Sequence, residues 1–293
     1  MSNARIFNGD VINVSLFPGP AGDTRPLLSG LPGLNSGTGL NYDIYRFGKI
    51  DSTNSYLLQL GDEGFPEGTV VVADEQLKGR GRFGRRWEAE PLSNLLFSIL
   101  LRPAFLQRDE VFILTFSAAV AVAESLEEVA NVRTELKWPN DILIDSKKVC
   151  GLLLESSFEA DRLNHIVLGI GLNVNQTSFP EEIKEKATSL VLSAGRKFDR
   201  DEILFTILGK LATIYETLKA RDFYQVMKKW RERSSLFGRR ITVKLADRTF
   251  EGIFDDVTDD GSLILRTSSG MQKFTAGEIS ISQNVPSGTG ESN

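Results

Sequence analysis

The chain has 293 residues, of which 41% are hydrophobic and 25% are charged, and its formal net charge is −5. The length suits one large domain and a small one, and the negative charge gives no bulk attraction to nucleic acid or to an anionic membrane. With a single cysteine, Cys150, and a single histidine, His165, the chain can form no intrachain disulfide, and it matches neither a zinc cluster nor a Ser-His-Asp hydrolase.

The sequence shows no membrane span and no targeting peptide. No apolar run reaches about 18 residues, the length that a transmembrane helix needs. The N-terminus lacks the basic flank and the apolar core of a signal peptide. Because a lone cysteine also fits a reducing compartment, we predict a cytoplasmic protein without a membrane partner.

Composition divides the chain into four parts. Residues 1–40 are rich in Gly, Pro, Ser and Asn, which predicts a flexible N-terminal arm, and residues 283–293 predict a flexible tail. Residues 41–236 mix helical and strand patterns, as expected of an α+β domain. Residues 237–282 alternate apolar and polar side chains between short turns, which is typical of a small β-barrel.

The large domain is predicted to mix strands with helices. Ser52 and Thr53 stand where the N-cap of a first short helix is expected. The segment Glu110–Val129 repeats apolar residues at the helical period, which predicts a long amphipathic helix. The other predicted helices are Tyr56–Leu60, Asp201–Lys219 and Asp222–Arg233. The predicted strands are Thr69–Ala73, Leu95–Leu101, Asp141–Ile144, Lys148–Ser156, His165–Asn173, Ile241–Lys244, Thr249–Asp256, Ser262–Arg266 and Gln272–Thr275.

The strongest local signal is the loop Gly79–Trp87, which holds four arginines and three glycines directly after a predicted strand and Gln76. Arginine supplies forked donors for carboxylate and phosphate oxygens, and glycine lets a backbone close on a ligand. Because four like charges repel one another, we predict a loop that is mobile when empty and ordered around an anion. Arginine-rich stretches also bind nucleic acid, and composition alone leaves both interpretations open.

A second signal is the segment Lys137–Asp141, of sequence KWPND, with Lys148 a hairpin's length further on. Pro139 interrupts the preceding element and favours an extended start to the next strand, so Asn140 and Asp141 are expected to face a cleft. Lys148 begins an otherwise apolar strand that can carry its ammonium group into the same cleft. The alternatives are a turn cap for the asparagine and aspartate and a solvated hairpin position for the lysine.

A third signal is Gly169–Asn173, a Gly-x-Gly at the end of a predicted strand. It is weak evidence for nucleotide binding, because it lacks a third glycine and a following helix. It does mark a place where a flat group can approach the backbone. We predict that Cys150 is a small core residue, that His165 lies at a strand edge, and that Trp87 and Trp138 are packing anchors.

Together these blocks resemble the catalytic domain of the biotin–protein ligases, also called biotin–[acetyl-CoA-carboxylase] ligases or holocarboxylase synthetases. The resemblance runs from about Tyr42 to Ile281, with the blocks in the family's order. It implies a class II synthetase-like, biotin–lipoate ligase catalytic domain with a mixed sheet and helices, followed from about Phe237 by an SH3-like β-barrel. The blocks are Asp51–Asn54, Gly79–Trp87, Lys137–Asp141, Lys148 with Gly151, and Gly169–Asn173.

The resemblance implies a two-step reaction. Biotin and MgATP form biotinyl-5′-AMP and pyrophosphate, and a lysine of a biotin carboxyl carrier domain then takes the biotin. Because the acceptor lysine makes the attack, the enzyme needs no nucleophile of its own. Some members carry an N-terminal DNA-binding domain, but residues 1–40 show no helical periodicity, so we predict no DNA partner. The resemblance leaves monomer and homodimer open.

The resemblance also implies roles for single residues. Arg82 is expected at the ureido end of biotin, whereas Arg80 and Lys148 are expected to neutralise the carboxylate and the α-phosphate as they meet. Asp141 is expected to orient or deprotonate the acceptor lysine. The implied catalytic residues are Arg80, Lys137, Asp141 and Lys148. The implied biotin-binding residues are Ser52, Thr53, Asn54, Gln76, Gly79, Arg80, Gly81, Arg82, Lys148, Gly151, Gly169 and Leu172. The implied ATP-binding residues are Arg80, Arg85, Trp87, Lys137, Asn140, Lys148 and Asn173.

Mg²⁺ is expected to enter with ATP rather than on dedicated protein ligands. Two alternatives stay open at this point. A lipoate–protein ligase shares the fold and the adenylate chemistry, but its pocket does not need the polar end formed by Ser52, Thr53, Gln76 and Arg82. A nucleic-acid-binding module would use the arginine loop and the β-barrel as its surface.

Overall fold

The computed structural model describes residues 40–159, 162–245 and 248–281. It also describes the backbone of three short strands, which fall within the predicted N-terminal arm. They are β1 (Ala4–Phe7), β2 (Asp10–Ser15) and β3 (Leu27–Ser29). Of that arm, Leu40 is also described and is buried. The rest of the arm and the predicted tail, residues 283–293, lie outside the described residues, so both stay predictions.

A mixed sheet of seven strands forms the centre of the large domain. The first two strands pair in parallel, and every other pair among the seven is antiparallel. The strands are β4 (Asp43–Ile50), β5 (Thr69–Gln76), β6 (Leu95–Leu101), β7 (Glu135–Lys137), β8 (Asp141–Ile144), β9 (Lys147–Glu159) and β10 (Arg162–Leu172). Their spatial order is β4-β5-β6-β10-β9-β8-β7, and β3 pairs with β4, so β1 to β3 extend this edge of the sheet.

The two faces of the sheet carry different helices. Helix α1 packs on β5, β6 and β10 over a small apolar cluster, whereas α2, with α4 and α5 beside it, covers the main core on the other face. The helices are α1 (Thr53–Asp62), α2 (Ile113–Ala130), α3 (Leu190–Ala194), α4 (Arg200–Lys219) and α5 (Phe223–Arg233). Helix α2 was predicted to be amphipathic, but it is buried on nearly every side because α4 and α5 cover its outer surface.

A second sheet of five antiparallel strands forms the small C-terminal domain. Its strands are β11 (Arg240–Leu245), β12 (Arg248–Val257), β13 (Leu263–Thr267), β14 (Gly270–Phe274) and β15 (Glu278–Ile281), in the order β14-β13-β12-β11-β15. The sheet contacts the large domain where Trp138 Nε1 donates to the carbonyl oxygen of Gly261 at 2.9 Å and where Arg231 Nε lies 3.0 Å from Asp256 Oδ1. These contacts bring β15 to the α1 face of the large sheet.

Most predicted elements are present, which confirms the α+β class with a β-rich C-terminal unit. The strands β4, β7 and β15 and the helix α3 were not predicted from sequence, and α2 begins three residues later than predicted. The prediction for His165 was wrong: β10 lies between β6 and β9, and the imidazole is fully buried beneath α1. No helix within the described residues is long and apolar enough to cross a membrane.

The packing of α1 on the sheet leads to a stability prediction. A Cβ at Gly61 of α1 would lie 2.4 Å from Nε2 of His165, whereas a Cβ at Gly209 of α4 would meet no atom within 4 Å. Overpacking a core typically costs about 1–3 kcal/mol, and an unobstructed Gly→Ala change in a helix gains about 0.5–1 kcal/mol. We therefore expect Gly61→Ala to destabilise the fold and Gly209→Ala to stabilise it, as measured by urea unfolding. Equal effects of the two variants would contradict this packing.

Candidate functional site

A cavity opens on the α1 face of the large sheet, and most of the predicted site residues line it. Its walls come from the start of α1, the loop Gly79–Trp87, the turn before β8, the strands β9 and β10, and the start of β15. The predicted residues in its lining are Ser52, Thr53, Asn54, Gln76, Arg80, Gly81, Arg82, Arg85, Trp87, Lys137, Asn140, Asp141, Lys148, Gly151 and Gly169.

One end of the cavity is lined mainly by uncharged polar side chains. The backbone N–H of Thr53 donates to Gln76 Oε1 at 2.8 Å, and Thr53 Oγ1 lies 2.7 Å from Ser98 Oγ. The Ser98 hydroxyl in turn donates to Asn54 Oδ1. Thr53, Asn54 and Ser98 are buried, and their hydrogen bonds offset the cost of removing them from water. This end can therefore satisfy an uncharged ligand group that has both donors and acceptors.

The N-terminus of α1 places these side chains. Ser52 is the N-cap, and its hydroxyl accepts weakly from the backbone N–H of Ser55 at 3.5 Å. Thr53 and Asn54 therefore fall in the first turn, facing the sheet. The sheet leaves room for them at Gly169 of β10, where a Cβ would lie 2.1 Å from Asn54 Oδ1.

The other end of the cavity carries paired charges. Lys148 Nζ lies 2.6 Å from Asp141 Oδ1, and the two residues lie on the paired strands β9 and β8. Asn140 donates from Nδ2 to the carbonyl oxygen of Leu152 at 2.6 Å, which ties the turn to β9. Lys148 is therefore an ion-pair partner in the cavity rather than a solvated turn residue. The Asn140 side chain bonds to β9 instead of capping its own turn.

Lys137 stands on the same wall, next to a turn in which the Trp138–Pro139 peptide is cis. The element before Pro139 does end, at Lys137, and the next strand does begin at Asp141, as predicted. Only the extended entry was wrong, because residues 138–140 form a turn. Burial lowers the pKa of the Lys137 ammonium below its ordinary value, and the positive charge of Lys148 lowers it further, against the opposing effect of the Asp141 carboxylate. The cavity therefore contains a lysine that loses its proton more readily than a surface lysine.

The loop Gly79–Trp87 is a closed hairpin rather than an open strand. The backbone N–H of Gly81 donates to the Arg85 carbonyl at 2.8 Å, and that of Trp87 donates to the Gly79 carbonyl at 3.0 Å. At its tip, Phe83 takes a left-handed conformation with φ 56° and is 62% exposed. Such a backbone is unfavourable for a bulky side chain, which fits a loop that changes shape when a ligand binds.

The first two arginines of the loop point to opposite ends of the cavity. An Arg80 guanidinium nitrogen lies 2.7 Å from Glu155 Oε1, near the polar end, whereas Arg82 donates to Asn140 Oδ1 at 3.3 Å, near the charged end. Burial lowers the pKa of Arg82, and the Asp141 carboxylate opposes that shift. The two arginines therefore lie at the opposite ends from those expected, because the hairpin turns the later arginine back over the charged end.

The other two arginines tie the loop down. Arg85 forms an ion pair with Glu278, the first residue of β15, and Arg86 donates to the carbonyl oxygen of Leu77 at 2.7 Å. Arg82 adds a contact of 3.4 Å with the carbonyl oxygen of Gly277. The small domain thus holds the loop over the cavity. Sequence could not show this, because nothing in the pattern around residue 278 signals a partner almost 200 positions away.

Trp87 closes the cavity from the loop side. A Cβ at Gly171 would lie 2.6 Å from its Cε2, and a Cβ at Gly151 would lie 2.9 Å from its Cζ3, so both glycines are needed for the close contact. Lys148 Nζ stands 5.4 Å from the centre of the ring. A flat group does approach the backbone at the Gly-x-Gly, as the sequence suggested, and in this structure it is the protein's own indole.

Three predicted site residues do not line the cavity. Leu172 points into the main core, because side chains alternate along β10 and the glycines at 169 and 171 take the cavity face. Asn173 donates to the carbonyl oxygen of Thr188 at 3.0 Å. Gly79 forms the base of the hairpin, where a Cβ would lie 2.4 Å from the Trp87 carbonyl oxygen.

Two polar residues of the site were missed, although the sequence carries a signal for each. Ser98 is the one polar residue within the apolar strand Leu95–Leu101, and Glu155 ends an apolar run on β9. A buried polar side chain in such a strand needs a partner, which marks it as a candidate. Within residues 40–159, 162–245 and 248–281, no group of three or more His, Cys, Asp and Glu side chains is placed to hold a metal ion.

Comparison with known proteins gives two matches to family models. The first, the Biotin/lipoate A/B protein ligase family, matches residues 47–173. The second, the Biotin protein ligase C terminal domain, matches residues 236–282. The first covers the cavity walls from α1 to β10, and the second covers the small sheet with Gly277 and Glu278.

Several relatives align over most of the chain. The Bacillus subtilis protein named bifunctional ligase/repressor BirA is 37% identical over 235 residues, which are 79% of this chain and 72% of that one. The Mycobacterium tuberculosis biotin–[acetyl-CoA-carboxylase] ligase is 33% identical over 266 residues, with 89% of this chain and 96% of that one covered. A structure of the Aquifex aeolicus biotin protein ligase, in complex with biotin and ATP, matches with a TM-score of 0.72 and 32% identity over 82% of this chain and 99% of that one.

The charges around Lys137 lead to a test of the site's electrostatics. We expect Lys137 to titrate below the surface lysines, because burial disfavours its charged form. Asp141→Asn removes a charge that raises this pKa and should lower it further, whereas Lys148→Met removes a charge that lowers it and should raise it. NMR titration of ¹³C-methylated lysines measures both shifts, with Lys137→Arg to assign the signal. A Lys137 signal that titrates with the surface lysines would contradict this arrangement.

Proposed function

Because the chain belongs to the biotin protein ligase family, we propose that its cavity joins biotin to AMP and passes the biotin to a lysine of a biotin carboxyl carrier domain. The chain is therefore an enzyme, a biotin–[acetyl-CoA-carboxylase] ligase. The observation that carries this proposal is the division of one cavity into an uncharged polar end and a charged end. Biotin has the same two ends, a ureido ring and a carboxylate.

The polar end suits the ureido ring. The ring presents one carbonyl acceptor and two N–H donors, and each must find a partner once it leaves water. Thr53 N–H and the Gln76 side-chain oxygen already pair with each other, which leaves the Gln76 NH₂ group to donate to a ligand. The hydroxyls of Ser52 and Thr53 complete the set. We assign these residues, with Asn54 behind them, to the binding of the ring.

The charged end suits the meeting of two anions. A carboxylate that attacks the α-phosphate of ATP must approach another negative group, and the repulsion is strong in a partly dry site. Lys148 and Arg82 supply cations there, held before the ligand arrives by Asp141 and Asn140. Fixed cations of this kind stabilise the transition state without having to be reoriented. We assign both residues to neutralisation of the reacting phosphate.

The second step uses carboxylate and ammonium groups already in place. Asp141 is proposed to orient or deprotonate the acceptor lysine through its Oδ2, while its Oδ1 keeps the ion pair with Lys148. Lys137 lines the same end, and burial lowers the pKa of its ammonium group below that of a surface lysine; it is proposed to contact a phosphate oxygen. Arg85 and Trp87 are proposed to bound the nucleotide. We assign no direct adenine contact to Asn173, whose amide holds the Thr188 segment instead.

Mg²⁺ is proposed to arrive with ATP. The carboxylates in the cavity lining are Asp141 and Glu278, and each is paired with a cation. Mg²⁺ commonly keeps several waters and binds through substrate phosphates with one or two carboxylates, which fits this donor set. The ion would neutralise phosphate charge, and the steps assigned here to protein residues do not run through it.

Family membership also supports a proposal for the acceptor protein and for the cellular location. We propose a carrier domain of acetyl-CoA carboxylase or of a related carboxylase as the acceptor, in the cytoplasm. The proposal includes no DNA-binding role, and monomer and homodimer both remain compatible with it. A lipoate ligase is the alternative that the name of the matched family includes. The polar end of the cavity and the names of the relatives favour biotin over the apolar dithiolane ring of lipoate.

The direct test of the proposed function is ligand-dependent release of pyrophosphate. We expect the chain to release pyrophosphate from ATP when biotin is added, and then to label a carrier domain on a single lysine, as detected by mass spectrometry. Lipoate in place of biotin should give at least about a hundredfold lower rate, since a site built to hydrogen-bond a ligand discriminates strongly against one that lacks those groups. Activity with lipoate and none with biotin would overturn the assignment.

Lys148 and its neighbour Lys147 provide a matched pair of variants. Lys148→Met removes a cation from the charged end and should slow adenylate formation by about a hundredfold or more, the usual effect of losing one preorganised donor. Lys147 stands next to it at the start of β9 but does not line the cavity, so Lys147→Met should leave the rate within about twofold. Single-turnover measurements of pyrophosphate release compare the two. A Lys148→Met variant at the wild-type rate would remove this residue from the mechanism.

A further inference from the structure

Glu155 of β9 connects two parts of the site, although the family resemblance assigned it no role. Asn54 Nδ2 donates to its Oε2 at 3.0 Å, and an Arg80 guanidinium nitrogen lies 2.7 Å from its Oε1. The side chain is 21% exposed and stands behind the cavity wall rather than in its lining. One carboxylate therefore binds the first turn of α1 and the loop Gly79–Trp87 at the same time.

The contact with Glu155 fixes which way the Asn54 amide faces. The carboxylate of Glu155 and the carbonyl oxygen of Leu153, 3.3 Å from Asn54 Nδ2, can only accept hydrogen bonds. The NH₂ group of Asn54 must therefore point to them, and its oxygen must point to Ser98. Without a charged acceptor behind it, the amide would have only the weaker contact with the Leu153 carbonyl to hold it.

The orientation of Asn54 sets the direction of two further hydrogen bonds, through Ser98 to Thr53 at the cavity; we call this chain the relay. Because Asn54 presents an oxygen, the Ser98 hydroxyl must give its proton to it. Ser98 can then only accept from Thr53, whose hydroxyl lies 2.7 Å away. The Thr53 hydroxyl has two possible acceptors, Ser98 Oγ at 2.7 Å and Gln76 Oε1 at 3.1 Å. Gln76 Oε1 already accepts from the Thr53 backbone N–H, so we assign the hydroxyl proton to the nearer Ser98, which leaves Thr53 Oγ1 as an acceptor for the ligand. The relay sets Thr53 as an acceptor at the place where the ligand's polar ring would lie.

Next to the acceptor at Thr53, Gln76 supplies a hydrogen-bond donor. Its side-chain oxygen accepts from the backbone N–H of Thr53 at 2.8 Å, and a backbone N–H cannot reverse its direction. The NH₂ group of Gln76 is therefore left as a donor. An acceptor at Thr53 and a donor at Gln76 match an N–H and a C=O of one cyclic urea. Only the Thr53 half of this pattern depends on the relay from Glu155.

We propose that Glu155 is a positioning residue for the biotin ring: its carboxylate sets the direction of the hydrogen bonds that end at Thr53, and it holds Arg80 of the loop at the same end of the cavity. This inference rests on the proposed function, because the ligand that needs the polarity is the ureido ring of biotin. It assigns ligand recognition and loop anchoring to one carboxylate. Glu155 thereby links the presence of the ring to the position of the loop.

Two substitutions separate these two effects. Glu155→Gln keeps an oxygen that can accept from Asn54 but loses the charge that holds Arg80. Glu155→Leu removes both. The matched control is Glu75→Leu: Glu75 is 28% exposed, lies on β5 next to Gln76, and pairs with Lys49 at 2.9 Å outside the cavity lining.

The readouts are the KM for biotin, the KM for ATP and the rate at which biotinyl-AMP leaves the enzyme. In Glu155→Leu we expect the KM for biotin to rise by about tenfold or more, because losing one hydrogen bond to the ligand typically weakens binding by about that factor. The KM for ATP should stay within about twofold of wild type. In Glu155→Gln we expect a KM for biotin within about threefold of wild type but a faster release of the adenylate. Glu75→Leu should change none of the three.

A double-mutant cycle tests the link to the loop. Arg80→Ala should speed adenylate release, and adding Glu155→Gln should produce little further change, since both variants break the same contact. Additive effects, or a Glu155→Leu variant with an unchanged KM for biotin, would overturn the proposal. If Glu155→Leu fails to fold, the isosteric Glu155→Gln and the cycle decide alone. A wild-type chain without biotin-dependent pyrophosphate release would instead contradict the proposed function.

Discussion

The ion pair between Lys148 and Asp141, 2.6 Å apart, is the interaction on which the account of the site depends. A free lysine on a flexible hairpin would have to be ordered each time that two anionic substrates meet. Here the strands β8 and β9 fix the carboxylate, and the carboxylate fixes the ammonium group. The site therefore holds its cation in place before any ligand is bound, which is where preorganised electrostatic catalysis gains its effect. Arg82 extends the same positive region through the turn at Asn140.

The large sheet makes this arrangement possible because part of its cavity face carries glycines instead of larger side chains. Glycines at 151, 169 and 171 leave out the side chains that would clash with Lys148, Asn54 and Trp87, while the apolar residues between them fill the core on the other face. The loop Gly79–Trp87 covers this part of the sheet, and the ion pair between Arg85 and Glu278 connects it to the small domain. The C-terminal sheet is thus part of the site, and its buried residues share the main core of the large domain. Closure of the loop would shield a reactive adenylate from water.

The sequence predicted the strands and helices with strong periodicity, and it predicted most of the residues in the cavity. It failed where a long-range contact decides the outcome. Helix α2 was predicted to be amphipathic because residue spacing does not show that α4 and α5 pack over it. His165 was predicted to lie at a strand edge because the local sequence does not determine the order of strands in the sheet. The arginine-rich loop was recognised, but the directions of Arg80 and Arg82 depend on a hairpin whose closure only the fold reveals.

The measurement that tests the central claim most directly is recovery of the intermediate. The chain is incubated with biotin and ATP without a carrier domain, passed through a desalting column, and denatured for mass spectrometry of the released small molecules. The account requires close to one equivalent of biotinyl-5′-AMP per chain in the wild type and a large loss in Lys148→Met. Absence of the adenylate in the wild type, or full occupancy in Lys148→Met, would contradict a site built around that cation.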